Sequence, residues 1–190
     1  MRQTAILFSI GAVLGTALDQ LHVLGGATSY AAPFLFGQPA WTPLLFGGAA
    51  VGFADLDRRL RRLLDGAVRP PTTAGLLRDF LLFAGAYALT AFAPLPGWVL
   101  LSILVVTWTA RALLVSDQSH RLLHAVACAA IGVGSELVLT GLDVFTHHRA
   151  DALRLPYWLP GLYLLAAPFI AGLDEWLSAR QAATNAAQPD

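Results

Sequence analysis

Six apolar stretches, each close to the length needed to cross a bilayer, leave this chain few folds to choose from. A spanning helix takes about 20 largely apolar residues, because the hydrocarbon core holds no water to satisfy an open backbone. The stretches run over about 4–23, 41–56, 76–93, 97–115, 121–141 and 157–176. The second is the shortest; Pro43 fits in its first turn, and its end continues toward the charged "DLDRRLRRLL". Composition agrees, with 56% hydrophobic and 13% charged residues, where soluble domains carry about one quarter charged. The expected fold is an all-α integral membrane protein, a six-transmembrane-helix bundle over residues 1–178. The polar, Ala-rich "SARQAATNAAQPD" predicts a disordered tail over 179–190. One arginine precedes the first apolar run, but that run is long and no small-x-small cleavage site follows, so it is expected to be a retained helix rather than a signal peptide.

Arginine sets the orientation. If both termini share a side, that side receives Arg2, Arg58, Arg59, Arg61, Arg62, Arg69, Arg78, Arg111, Arg121 and Arg180, and the other only Arg149 and Arg154. This bias makes both termini and the loops at 57–75 and 116–120 cytoplasmic. Trp41, Trp98 and Trp158 lie beside proline in "QPAWTP", "PLPGW" and "PYWLP", forming an outer aromatic belt opposite Trp176, and their recurrence hints at three helical hairpins. Gly11 and Gly15 on the first helix, and Gly47, Gly48, Ala49, Ala50 and Gly52 on the second, offer surfaces for close helix packing within the subunit or between subunits.

The same composition excludes several functions. A formal net charge of zero supplies no basic field for nucleic acid. All twelve cationic residues are arginine, which removes Schiff-base and phosphate-loop lysine chemistry. The lone Cys128 permits no internal disulfide and supplies no cluster for a metal. In "THHRAD", His147, His148 and Asp151 could suggest a metal, but adjacent loop histidines are weak ligands without a fixed third and fourth partner. Neither a metal nor a cofactor is expected. "GVGSE" evokes a serine nucleophile, yet Ser135 precedes Glu rather than Gly and no histidine on the sixth helix could serve as its base.

What remains is the acidic pair. Glu136 lies inside the apolar run "AIGVGSELVLTG", where a charge costs about 2.5–3.5 kcal/mol and such residues face a bundle interior or cavity. Asp19 and His22 share one face near the outer end of the first helix, at a depth comparable to Glu136. They either join Glu136 in a cavity, as a polar ligand contact or proton relay, or meet water at headgroup level. The arginine-rich loop after the second helix either serves orientation and anchoring only, the favoured reading, or also binds anionic headgroups.

Laid out in order, these pieces resemble the Insig (insulin-induced gene) family over about Arg2 to Ala179. "LFSIGAVLGTAL" is similar to its first helix and "AWTPLLFGGAAVGFADLD" to its second; "SDQS" stands where the family has Asp-Arg-Ser, and "WLPGLY" where its sixth helix begins. The resemblance implies a bundle without catalytic activity that holds an oxysterol-like lipid in a cavity and changes partner binding in response. Animal members bind the escort protein Scap and HMG-CoA reductase. It further implies that Glu136 matches the sterol-lining glutamine, that Ser135 stands for the preceding threonine, and that Asp117 matches the cytoplasmic-loop aspartate used for partner binding. Glu136 and Gln118 depart from the family residues, Gln118 standing in place of an arginine.

The composition looks bacterial, which points to an inner (plasma) membrane and to a sterol-like or neutral lipid such as diacylglycerol as ligand. Ligand-binding residues are then Glu136, Ser135 and Asp19, the partner-binding residue is Asp117, and a homo-oligomer is expected. The competing class is a small proton-coupled transporter or lipid-modifying membrane enzyme using Glu136, Asp19 and His22.

Overall fold

In the computed structural model, which describes residues 2–115 and 117–186, helix α6 (Leu159–Ala186) touches every other helix. Around it stand α1 (Arg2–Leu24), α2 (Thr42–Leu63), α3 (Thr73–Phe92), α4 (Gly97–Val115) and α5 (Ser119–Gly141). Four of the helices, α1, α3, α4 and α5, are each long and apolar enough to cross a membrane. The exceptions carry buried acids, Asp57 on α2 and Asp174 and Glu175 on α6. A central helix meets protein rather than lipid, so it can hold ionised groups if partners are supplied. Arg58 reaches Asp174 at 3.0 Å, Arg61 reaches Glu175 at 2.5 Å, and Arg121 reaches Glu175 at 2.6 Å. These pairs tie α2, α5 and α6 together at the arginine-rich end. Gln3 adds α1 by donating to Asp174 Oδ1 at 2.8 Å and to Ser178 Oγ at 2.6 Å. The fold is therefore the expected six-helix membrane bundle, with the start of α1 and the end of α6 on one side.

Several boundaries differ from those expected. Helix α2 runs past residue 56 to Leu63, supported by Arg59–Asp55 at 2.6 Å one turn apart and by arginines in its last turn, where they oppose the helix dipole. Helix α3 begins at Thr73 because the Thr72 hydroxyl accepts from Gly75 N at 3.1 Å and caps it. The tail expected to be disordered over 179–190 is helical through Ala186. Alanine, glutamine and arginine are good helix formers, and Arg180 lies over the Trp176 ring at 4.0 Å. Residues 187–190 of that expectation lie outside the described residues.

Two short strands, β1 (Thr28–Tyr30) and β2 (Phe145–His147), pair antiparallel across the outer end with Ser29 opposite Thr146 at the centre. They reveal a repeat. One constant shift in residue number carries α1 onto α5, β1 onto β2, and the start of α2 onto the start of α6. The same shift takes Trp41 to Trp158 and Pro43 to Pro160. It also exchanges Ser29 with Thr146, so a pseudo-twofold axis passes through the strand pair. The three expected hairpins are thus two related units with α3 and α4 inserted between them. In each unit the strand is followed by a two-residue turn with both φ angles positive: Phe36 (52°) and Gly37 (84°) in the first, Leu153 (52°) and Arg154 (64°) in the second. Such turns match the twist of a hairpin. The second lacks glycine and is held by Arg154, which donates to Thr140 O at 2.8 Å and pairs with Asp143 at 2.7 Å.

Gly11 and Gly15 of α1 and Gly47 of α2 serve packing within the subunit, whereas Gly48 and Gly52 face open space. A methyl group at Gly11 would lie 2.4 Å from Ala50 Cβ, whereas one at Gly48 would meet open space. Gly11→Ala is expected to lower stability by about 1–3 kcal/mol through overpacking, and Gly48→Ala to leave it unchanged; thermal unfolding in detergent distinguishes them.

Candidate ligand cavity

The two related units enclose a cavity that runs inward from the strand pair, with about 1190 Å³ of empty space including its opening. Its inner part is apolar, lined by Leu7, Leu14, Phe46, Phe53, Phe169 and Leu173. Its outer part is polar and is built on the repeat.

Asp19 on α1 is buried there; its Oδ2 accepts from the Tyr30 hydroxyl at 2.7 Å and from Gln38 Nε2 at 2.7 Å. Glu136 on α5 is the residue to which the shift carries Asp19. Its Oε2 accepts from His147 Nε2 at 2.8 Å, and its Oε1 from the Tyr163 hydroxyl at 2.6 Å. His147 is likewise the residue to which the shift carries Tyr30. Each half therefore holds a carboxylate near the outer end of its helix and a donor on its strand. With Nε2–H donating to Glu136, His147 accepts the Thr28 hydroxyl on Nδ1 at 3.2 Å, which links one half to the other across the sheet. Burial and the nearby Asp19 push the Tyr30 phenol far above its ordinary pKa, so it stays a donor.

Strand geometry explains why the histidines of "THHRAD" divide. Side chains alternate along a strand, so His147 points inward while exposed His148 bonds to Ser29 Oγ at 2.8 Å. Asp151 accepts from Tyr157 N at 2.7 Å and joins neither histidine. Among the described residues no group of three or more His, Cys, Asp or Glu side chains has metal-holding geometry.

Of the residues singled out in the sequence, Glu136, Asp19, Ser135 and His22 all line this one cavity. The alternative that Asp19 and His22 simply meet water is corrected: both are buried, and His22 Nε2–H donates at 2.8 Å to Thr90 Oγ1, whose own hydroxyl donates to Ala86 O. The Ser135 hydroxyl donates to Gly132 O at 2.8 Å within its own helix, leaving its lone pairs toward the cavity. Sequence reasoning missed Tyr30, Gln38 and Tyr163 and gave His147 no inward role. The signal was there in the constant shift, which aligns Asp19 with Glu136 and Tyr30 with His147.

Asp117 lies away from the cavity, at the arginine-rich end. Its side chain is only 11% exposed and is paired with Arg111, which also holds Asp79 at 2.7 Å. Burial pushes its carboxyl above the ordinary range, against the pull of Arg111 and Arg121. It does not cap α5, whose first turn follows Gln118. Among the described residues at that end, no nucleophile and base are assembled. Cys128 Sγ lies 3.1 Å from His124 Nε2, but that nitrogen donates to Phe53 O at 2.9 Å and the thiol is fully buried.

No family model matches the chain. A curated protein from Mycolicibacterium vanbaalenii, an INSIG protein homolog, is 30% identical over 174 residues, which span 90% of this chain and 79% of that one. The crystal structure of MvINS, a mycobacterial Insig homolog from Mycobacterium vanbaalenii, matches with a TM-score of 0.83 at 28% identity, over 95% of this chain and 96% of the other. A cross-linked trimer of an arginine-to-cysteine variant of MvINS matches with the same score. Sequence identity over most of both chains, together with the shared six-helix architecture, shows that this chain belongs to the Insig family.

Proposed function

We propose that the protein is a non-enzymatic, membrane-embedded lipid sensor that holds a sterol-like or neutral lipid, diacylglycerol for example, in the cavity between its two related units. The observation that carries this reading is the polarity gradient of the cavity, with two acids at its outer end and an apolar inner part. An amphipathic molecule with a hydroxyl fits such a gradient, hydroxyl outward. Asp19 and Glu136 accept the hydroxyl hydrogen, and Ser135 offers a further acceptor. A phospholipid phosphate is disfavoured beside two carboxylates. The membrane is a bacterial inner (plasma) membrane, and the protein works as a homo-oligomer, a reading supported by the cross-linked trimer of the arginine-to-cysteine variant of MvINS. A membrane protein partner engages the loop around Asp117 and responds to cavity occupancy.

Native mass spectrometry of protein gently extracted from its own membrane tests the ligand. Wild-type protein is expected to retain a neutral lipid. Glu136→Gln is expected to keep it, since the amide still accepts from Tyr163 and the His147 ring can accept after a tautomer change. Glu136→Leu is expected to weaken retention by about 1–3 kcal/mol, the cost of leaving a buried polar group unpaired. Proton uptake on substrate addition that vanishes in Glu136→Gln would instead make the protein a proton-coupled transporter.

The geometry at Asp117 also yields a test that separates folding from partner binding. Asp117→Ala is expected to destabilise by about 1–3 kcal/mol, because Arg111 loses one of two buried partners, while Asp117→Asn keeps a hydrogen-bond acceptor there. Loss of partner co-purification in the Asn variant at unchanged thermal stability supports the partner role; retained co-purification leaves Asp117 a structural residue only.

A further inference from the structure

A second cleft opens at the arginine-rich end, between the start of α3, the end of α4, α5 and α6, with about 540 Å³ of empty space including its mouth. Four arginines line it, Arg69, Arg78, Arg111 and Arg121, against two carboxylates, Asp79 and Asp117. The pairing is uneven. Arg111 lies inside, held by Asp79 and Asp117, and Arg121 reaches out of the cleft to Glu175 at 2.6 Å. Arg78 is 43% exposed and shares the same Asp79, at 2.8 Å through Nη2 and 2.9 Å through Nε, so its Nη1 remains open. Arg69 is exposed and pairs with no carboxylate among the described residues.

The loop bearing Arg69 is fixed rather than loose. Gln118 Oε1 accepts from Ala67 N at 2.9 Å, and its Nε2 donates to Ala67 O at 3.2 Å. This two-way clamp holds the backbone two residues before Arg69, setting that guanidinium at the mouth. The residue making the clamp is the one that departs from the family's arginine, and an arginine, which has no acceptor, could not make both bonds. On the opposite wall Gly172 of α6 keeps the cleft open against Pro71, whose Cγ would lie 3.3 Å from a Cβ at that position.

Two guanidiniums with unused donors, one at a clamped mouth and one on the wall, over a base whose acids are already engaged, form a receptor for an anion with several acceptor oxygens. We propose that this cleft binds a phosphate group at the cytoplasmic face, with Arg69 and Arg78 as its ligands and Arg111, held by Asp79 and Asp117, as the positioning base. The phosphate comes from the headgroup of an anionic inner-leaflet lipid or from a free phosphate; both present the same oxygens. The site is separate from the outer cavity and does not rest on what that cavity holds.

The test uses the full-length protein in detergent, titrated with dioleoyl phosphatidic acid, dioleoyl phosphatidylcholine or inorganic phosphate, read by native mass spectrometry for the lipids and by thermal stabilisation for all three. Phosphatidic acid is expected to bind in preference to phosphatidylcholine. The Arg69→Gln/Arg78→Gln double variant is expected to bind it about 25-fold more weakly, the product of about fivefold for each arginine. Arg59→Gln is the control, because Arg59 is equally cytoplasmic and exposed but pairs with Asp55. It is expected to bind as wild type. If inorganic phosphate stabilises the protein with the same arginine dependence and displaces phosphatidic acid, the source is a free phosphate; if it is inert, the source is a lipid headgroup.

The proposal is overturned if neither phosphate source binds, if the double variant binds phosphatidic acid as wild type does, or if Arg59→Gln weakens binding as much as the double variant. Should loss of the Arg78–Asp79 pair disturb folding, Arg69→Gln alone, on an exposed loop, carries the test, with an expected weakening of about fivefold.

Discussion

Two carboxylates held inside an apolar bundle are the constraint on which the outer half of this protein depends. A buried acid is tolerable only when donors surround it, and neither α1 nor α5 supplies them from its own sequence. They come from the connections. Tyr30 and His147 arrive on the two strands, Gln38 on the turn before α2, and Tyr163 on α6. The β1–β2 pair fixes Tyr30 and His147 at once, because its centre lies on the pseudo-twofold axis relating the halves. Removing the strand pair would take one of its two donors from each acid, leaving Asp19 with Gln38 and Glu136 with Tyr163, so the outer loops are as structural as the helices they join.

The inner half is organised by a different balance. There Asp57, Asp174 and Glu175 are buried against Arg58, Arg61 and Arg121, and a further set joins Asp79 and Asp117 to Arg111. Buried ion pairs contribute little net stability over an apolar core, yet breaking one by removing a single partner is costly, about 3–5 kcal/mol. Such a network specifies which helices meet and in what register. It gives the bundle a fixed base beneath the outer cavity. A partner contacting the loop at Asp117 would then read a helix end already tied to α3 and α4, which is the mechanical link the proposed sensor requires.

The helices were legible because their cause is written locally, in apolar length and in the side on which arginine falls. Glu136 was legible as a cavity residue because a charge in an apolar run has few other fates. The strands were not, since three residues each carry no periodicity to detect and owe their form to pairing across most of the chain. The burial of Asp117 was not legible for a related reason: its environment is made by Arg111 on another element, which a loop sequence cannot show. Residues 179–186 read as disordered because they lack an apolar face, but helix propensity extending from an anchored α6 was sufficient. The repeat is visible in part in the sequence, as recurring proline and tryptophan, and aligning its first and last copies makes Asp19 the counterpart of Glu136.

The central claim is that an amphipathic lipid sits on the pseudo-twofold axis with its hydroxyl between Asp19 and Glu136. Photo-crosslinking with a diacylglycerol carrying a diazirine close to its free hydroxyl, followed by peptide mapping, tests it most directly. Labelled peptides are expected from both halves, containing Asp19 to Tyr30 and Gly132 to His147, with labelling suppressed by unmodified diacylglycerol. Labelling confined to the exposed outer surface, at Val106 or Leu113 of α4 for example, and indifferent to competitor, would contradict it.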